Sequence, residues 1–164
     1  MPRRRPPFAA ALSAGLCAGA AACARPPEGP HPGQRLPALE LMGLDGAALG
    51  LPRAGRPAVL RFWTSWCGPC RRELPELGAL AEAHGEAVDV VSINAGEDPV
   101  RARLIAESWA IPGVVALDVE RAAVSACAVD AVPLALVVDG DGLVRYRGPT
   151  LPAGPRGPLD GLLE

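Results

Sequence analysis

Lysine is absent from this 164-residue chain; all 16 basic residues are arginine. With 19 glycines, 19 prolines and abundant alanine, that bias reflects genome composition and points to no function. Aromatic residues make up only 4% of the chain, and the formal net charge is −2. There is no basic stripe and no aromatic motif of the RNA-binding kind, so a nucleic-acid partner is not expected. There is no internal repeat and no long low-complexity run either. The apolar run from Phe8 to Ala22 holds 15 weakly apolar residues, and a bilayer span needs about 20. What is present is a chain 49% hydrophobic, long enough for one domain with a real core.

That short apolar run follows Arg3, Arg4 and Arg5 and reads as a signal peptide over residues 1–22. Small residues before a cysteine, in Ala20-Ala21-Ala22-Cys23, fit a bacterial lipobox, in which Cys23 would be lipidated and anchor the protein to a membrane. Ala20 stands where lipoproteins usually have leucine, and ordinary cleavage near Ala22 or Ala24 is the alternative. Both place the folded part outside the cytoplasm, in the periplasm or its equivalent, where disulfides persist. Residues 23–33, rich in proline and glycine, are expected to form an unpacked spacer. The domain is expected over residues 34–164.

The most informative stretch is Phe62-Trp63-Thr64-Ser65-Trp66-Cys67-Gly68-Pro69-Cys70. It sets two cysteines three residues apart where an apolar strand meets a helix. Helix geometry places their Cα atoms ~5 Å apart, within the range of a disulfide. At the first helical turn the Cys67 sulfur faces unpaired N–H groups and the positive end of the helix dipole, which lowers its pKa. Pro69 suits that turn because its missing N–H would have no partner there. Gly68 leaves room for an incoming disulfide. A bare C-x-x-C also fits half a zinc site or a structural staple. The strand in front and the helix behind favour redox chemistry.

Around this motif the chain alternates strands and helices. Leu39–Leu41 reads as a strand, Leu44-Asp45-Gly46 as a turn, and Ala58–Trp63 as a buried strand feeding the cysteine helix. That helix is expected to run to His84, kinked at Pro75 and stopped by Gly85. Val88–Ile93 reads as a central strand. Asp98-Pro99 caps a helix ending near Trp109. Val114–Leu117 is a further strand and Arg121–Cys127 a short helix. Leu134–Val138 and Leu143–Arg147 flank Asp139-Gly140-Asp141-Gly142, a hairpin signal, and a last helical turn is expected around Leu159–Leu163. The pattern predicts an α/β fold, a mixed central sheet flanked by helices, with a C-terminal β-hairpin.

These segments resemble the thioredoxin-like fold, and more closely the TlpA-like group of extracytoplasmic thiol–disulfide oxidoreductases, from about Gln34 to Arg147. The active-site signature Phe62 to Pro75 carries the resemblance. Leu36 to Leu41, the Val129-Asp130-Ala131-Val132-Pro133 loop and the hairpin follow in the right order. The resemblance implies that Cys67 is the exposed cysteine that attacks a target disulfide and that Cys70 is the buried one that resolves the mixed disulfide. It implies that Pro133 is cis and leaves the Val132 backbone free to bind substrate in strand fashion. Glu73 matches a glutamate that helps move the resolving thiol's proton; a surface glutamate is the plainer alternative. Trp66 is expected to shield the cysteines and take part in substrate binding, and Trp63 and Phe62 to be core. Gly68-Pro69 matches the thioredoxin dipeptide and favours a reductase, with cytochrome c maturation as one setting. The implied protein is a monomer with no organic cofactor and no metal. It would act on protein disulfide substrates, with electrons from a membrane thiol-transfer protein.

Two departures stand out. Arg61 occupies the position of a buried aspartate or asparagine and cannot act as a general base. It is expected to pair with Glu73, lowering that residue's pKa, or else to extend past the sheet edge to water. Leu134 and Ala135 replace small polar residues after the proline. Cys127 reads as a small buried hydrophobe, or as a third redox cysteine if exposed. Two other functions share parts of the pattern. A copper metallochaperone needs a nearby histidine, but His84 lies ~21 Å along the helix from Cys70 and His31 lies in the spacer. A thiol peroxidase would use the T-x-x-C run Thr64 to Cys67, but the tight spacing to Cys70 favours dithiol exchange.

Overall fold

The structure, a computed structural model, describes residues 29–151 and Leu159. The signal peptide, Cys23 and most of the expected last helical turn lie outside the described residues. Seven strands form one sheet in the order β2-β1-β5-β4-β3-β6-β7. They are β1 Leu39–Gly43, β2 Ala48–Leu51, β3 Ala58–Trp63, β4 Asp89–Asn94, β5 Val114–Leu117, β6 Leu134–Val138 and β7 Val144–Gly148. Strands β5, β4 and β3 are parallel, while β1, β6 and β7 pair antiparallel with their neighbours. The helices are α1 Gly68–Arg72, α2 Leu74–His84, α3 Pro99–Trp109 and α4 Ala122–Ala126. This is the mixed α/β architecture the sequence predicts.

Strand β3 is buried at all six positions, as a strand covered on both faces must be, and its sequence is accordingly a near-continuous apolar run. Leu60 and Phe62 point into the core that α4 covers, with Leu39, Ile93, Val124 and Cys127. Val59 faces the opposite side, with Leu77 and Leu80 of α2 and with Leu151 and Leu159 of the C-terminal segment. Trp63 packs on that side too, against the cysteines and α3. In β1 alternate residues are buried, the signature of a strand with one wet face.

Five local readings need correction. Strand β2 has no counterpart in the sequence reading; Leu39↔Leu51 to Met42↔Ala48 form a hairpin around the Asp45-Gly46 turn. Strand β4 sits one residue later than expected, and β7 likewise. The cysteine helix is broken rather than kinked. Pro75 has no N–H for the Arg71 carbonyl and its ring crowds that carbonyl, so α1 ends at Arg72 and Glu73 becomes the junction residue. The spacer expected over residues 23–33 already packs at its end: Gly29 and Pro30 are buried, and the Gly33 N–H donates to Val144 O at 2.7 Å. Backbone pairing needs no side chain, so a Pro/Gly segment still pairs beside the hairpin.

Candidate active site

Cys67 is the N-cap of α1 and Cys70 lies within it. They form a disulfide of 2.05 Å with Cα atoms 5.3 Å apart. The Cys70 N–H donates to Cys67 Sγ at 3.2 Å, so the backbone at the helix start addresses that sulfur directly. A thiolate there is stabilised by the same contact. The pair packs with Trp63 and Ala106, and with partly buried Leu44, Ile105, Trp109 and Val132. Trp63 and Trp109 lie 5.7 Å apart between ring centroids, and the Arg71 guanidinium lies over Trp109 at 5.9 Å. The Val132–Pro133 bond is cis, and among the described residues neither backbone group of Val132 has a hydrogen-bond partner.

Two site expectations change. Cys67, expected to be exposed, is only 2% exposed in the disulfide form, and Cys70 is 4% exposed. In this form the Cys67 sulfur lies against the start of the helix and packs among apolar neighbours. Trp66 does not shield the pair: it is 70% exposed and stands out beside it.

Glu73 is not a surface residue. It forms an ion pair with Arg61, with side-chain exposures of 16% and 4%. Arg61 therefore does not reach past the sheet edge to water. Its second nitrogen, Nη1, donates to Pro149 O at 3.1 Å. The cross-strand neighbours of Arg61 are Ser92 and Ala135, both small, which leaves room for a guanidinium on the face of the sheet. Burial pulls the Arg61 pKa down to about 10, against the opposing pull of Tyr146 and Glu76. A narrow cavity lined by Arg61, Cys70, Glu73, Ser92, Trp63 and Leu151 connects the ion pair with Cys70. Ser92 Oγ and Trp63 Nε1 are buried beside it without hydrogen-bond partners.

A second polar cluster escaped sequence reasoning. Glu97 accepts hydrogen bonds from the Ser65 N–H and Oγ, both at 2.6 Å, and from Asn94 Nδ2 at 2.8 Å. Arg101 Nε donates to the same Ser65 Oγ at 2.9 Å. The loop that presents Trp66 and Cys67 is thus tied to the end of β4 and the start of α3. Its only sequence signal is a pair of polar residues, Ser65 and Asn94, at the ends of two apolar strands. Cys127 is fully buried, and burial pushes its thiol up to about 11, which removes the third-redox-cysteine reading. Among the described residues no helix is long and apolar enough to cross a membrane.

A dithiol pair opening a helix, beside a cis-proline loop on a mixed sheet, defines the thioredoxin-like class. Within that class the chain belongs to the Redoxin family, whose profile matches residues 31–152. It is similar to sporulation thiol-disulfide oxidoreductase A of Bacillus subtilis, 39% identical over 61 residues, covering 36% of this chain and 37% of that protein. It is similar to thiol-disulfide oxidoreductase ResA of Geobacillus thermodenitrificans, 27% identical over 115 residues and covering 69% and 66%. The crystal structure of a secreted Mycobacterium tuberculosis disulfide oxidoreductase superposes with a TM-score of 0.61 at 26% identity, over 68% of this chain and 83% of that one. The chain thus spans between 37% and 66% of the length of these two curated relatives.

Proposed function

We propose that the protein is an extracytoplasmic thiol–disulfide oxidoreductase that reduces disulfides in protein substrates through Cys67 and Cys70. The observation that carries this is the Cys67–Cys70 disulfide at the start of α1, its nucleophilic sulfur met by a helix N–H.

In the reduced protein, the Cys67 thiolate attacks one sulfur of a target disulfide. A Cys67–target bond forms, the target bond breaks, and the departing target thiolate takes a proton from solvent. Cys70 then gives up its proton and attacks Cys67 Sγ. The Cys67–Cys70 bond forms and the second target thiolate leaves. The target gains two electrons, which the protein loses, and two protons, one from solvent and one released by Cys70; a membrane thiol-transfer protein restores the dithiol. Glu73, in the cavity beneath Cys70, receives the resolving thiol's proton. The unpaired Val132 backbone beside cis Pro133 binds an extended substrate segment as an added strand, and exposed Trp66 contributes apolar contact. The domain works as a monomer, without organic cofactor or metal, tethered outside the cytoplasm through lipidated Cys23. Apocytochrome c is the substrate we favour, following the resemblance to the TlpA-like group.

The decisive experiment is trapping with Cys70→Ser, which stalls the mixed disulfide on Cys67, followed by mass spectrometry of the partners. Apocytochrome c among them is the expected result; partners without it would overturn that substrate. Insulin reduction by the wild type and its loss in Cys67→Ser test the activity itself, and faster turnover of peroxide than of insulin would favour a peroxidase. Cys23→Ala should release the protein from the membrane fraction.

A further inference from the structure

The buried pair beneath the resolving cysteine is built for a cation. Arg61 sits at the middle of β3, flanked by the small residues Ser92 and Ala135. One guanidinium nitrogen meets Glu73 and the other meets the Pro149 carbonyl. Leu151 of the same C-terminal segment lines the cavity and is itself buried. A carbonyl oxygen and a carboxylate converging on one side chain suit a permanent positive charge and nothing neutral. Strand, redox helix and C-terminal segment therefore all converge on the Arg61 guanidinium.

A lone carboxyl enclosed in such a place prefers its neutral form, because burial disfavours charge. A neutral Glu73 has no capacity to take a proton from Cys70. The reading of the protein as a dithiol reductase thus raises a question that the ion pair answers. We propose that Arg61 is a positioning residue that holds Glu73 as a carboxylate beneath Cys70, so that the resolving thiol meets a ready proton acceptor at every physiological pH. Guanidinium is suited to this task because it stays charged far above neutrality even when buried. The other titratable groups facing the pair among the described residues are Cys70 on α1, Glu76 on α2 and Tyr146 on β7. α3 contributes only the Trp109 ring to the cavity wall, and β4 only the Ser92 hydroxyl.

The test reads the charge on Glu73 directly, from its side-chain carboxyl ¹³C shift as a function of pH, assigned with Glu73→Gln. It uses the whole chain in its disulfide form and needs no substrate, so it stands or falls apart from the reductase reading. In the wild type Glu73 should stay ionised across the neutral range, and a carboxyl that titrates within that range would overturn the proposal. In Arg61→Met the midpoint should move up by at least a pH unit, and in Arg61→Lys it should stay near that of the wild type; an unmoved midpoint in Arg61→Met would overturn it.

The second reading is the rate at which Cys70 releases glutathione from a Cys67 mixed disulfide. In Arg61→Met that rate should fall about tenfold for each pH unit below the new midpoint, relative to wild type. A parallel pH profile in the two proteins would reduce Arg61 to a structural role. The double variant Arg61→Met/Glu73→Gln removes both charges together and should fold even where the single one does not. It should release glutathione slowly at every pH. Release at the wild-type rate would show that the pair plays no part.

Discussion

Cys67 and Cys70 differ by less than one helical turn, yet their surroundings differ in kind. Cys67 Sγ receives an N–H hydrogen bond, whereas Cys70 lines a narrow cavity with a buried ion pair. After reduction, Cys67 should alkylate rapidly near neutral pH and Cys70 much more slowly, as a mass-spectrometric time course with iodoacetamide would show. Cys127, fully buried and with its thiol pushed up to about 11, should react only on unfolding. Equal rates at Cys67 and Cys70 would contradict the assignment of nucleophile and resolving thiol. Beside Cys67, the Trp66 side chain is the most exposed large apolar one among the described residues, at 70%.

At the scale of elements, what matters is how the helices and loops are held to the sheet. α3 starts at Asp98, whose side chain accepts the Arg101 N–H at 3.0 Å, the capping arrangement its sequence announces. One residue earlier, Glu97 clamps the active-site loop through Ser65. Glu97→Ala would leave the Ser65 N–H and the Asn94 amide without their acceptor. The expected loss is about 1–3 kcal/mol in chemical denaturation, the cost of unmet buried donors. Hydrogen exchange at the Ser65 amide should accelerate while amides of α2 stay protected; uniform acceleration would point to global destabilisation instead. The break at Glu73 has a comparable effect on the site. Because Pro75 ends the first helix early, Glu73 lies at the junction of α1 and α2, and there it pairs with Arg61.

For the molecule as a whole, two carboxylates link stability to pH. Burial pushes Glu97 up, but hydrogen bonds from Ser65 and Asn94 outweigh it and hold the carboxyl below its ordinary 4.5. Burial likewise opposes Asp139, but the Leu143 N–H and the Arg145 guanidinium hold it below 3.8. The folded protein therefore binds fewer protons than the unfolded chain just below those values. Their stabilisation is complete above about pH 5 and is lost as pH falls through the folded-state values. Urea midpoints should fall between about pH 4.5 and pH 3, and Asp139→Asn should flatten that fall; an unchanged slope in the variant would remove Asp139 from the account.

Features that depend on neighbours along the chain are legible in the sequence. The C-x-x-C at the strand–helix junction, the buried run of β3, the Asp98 cap and the Asp139–Gly142 hairpin are all written in short windows, because helix and strand periods and caps are local. The resemblance of those windows, in their order, was enough to reach the fold class and the family. Other features were decided only by tertiary structure. Arg61 had two outcomes open to it, water or Glu73, and the choice turned on a sheet position between Ser92 and Ala135 and on a carbonyl 88 residues away. The Glu97 clamp joins residues 32 apart. The burial of Cys67 and the exposure of Trp66 reverse what their adjacent positions suggest. Exposure is set by everything that packs around a side chain, and ion pairing in a closed site by which distant segments enclose it. Neither is a property of a window of sequence.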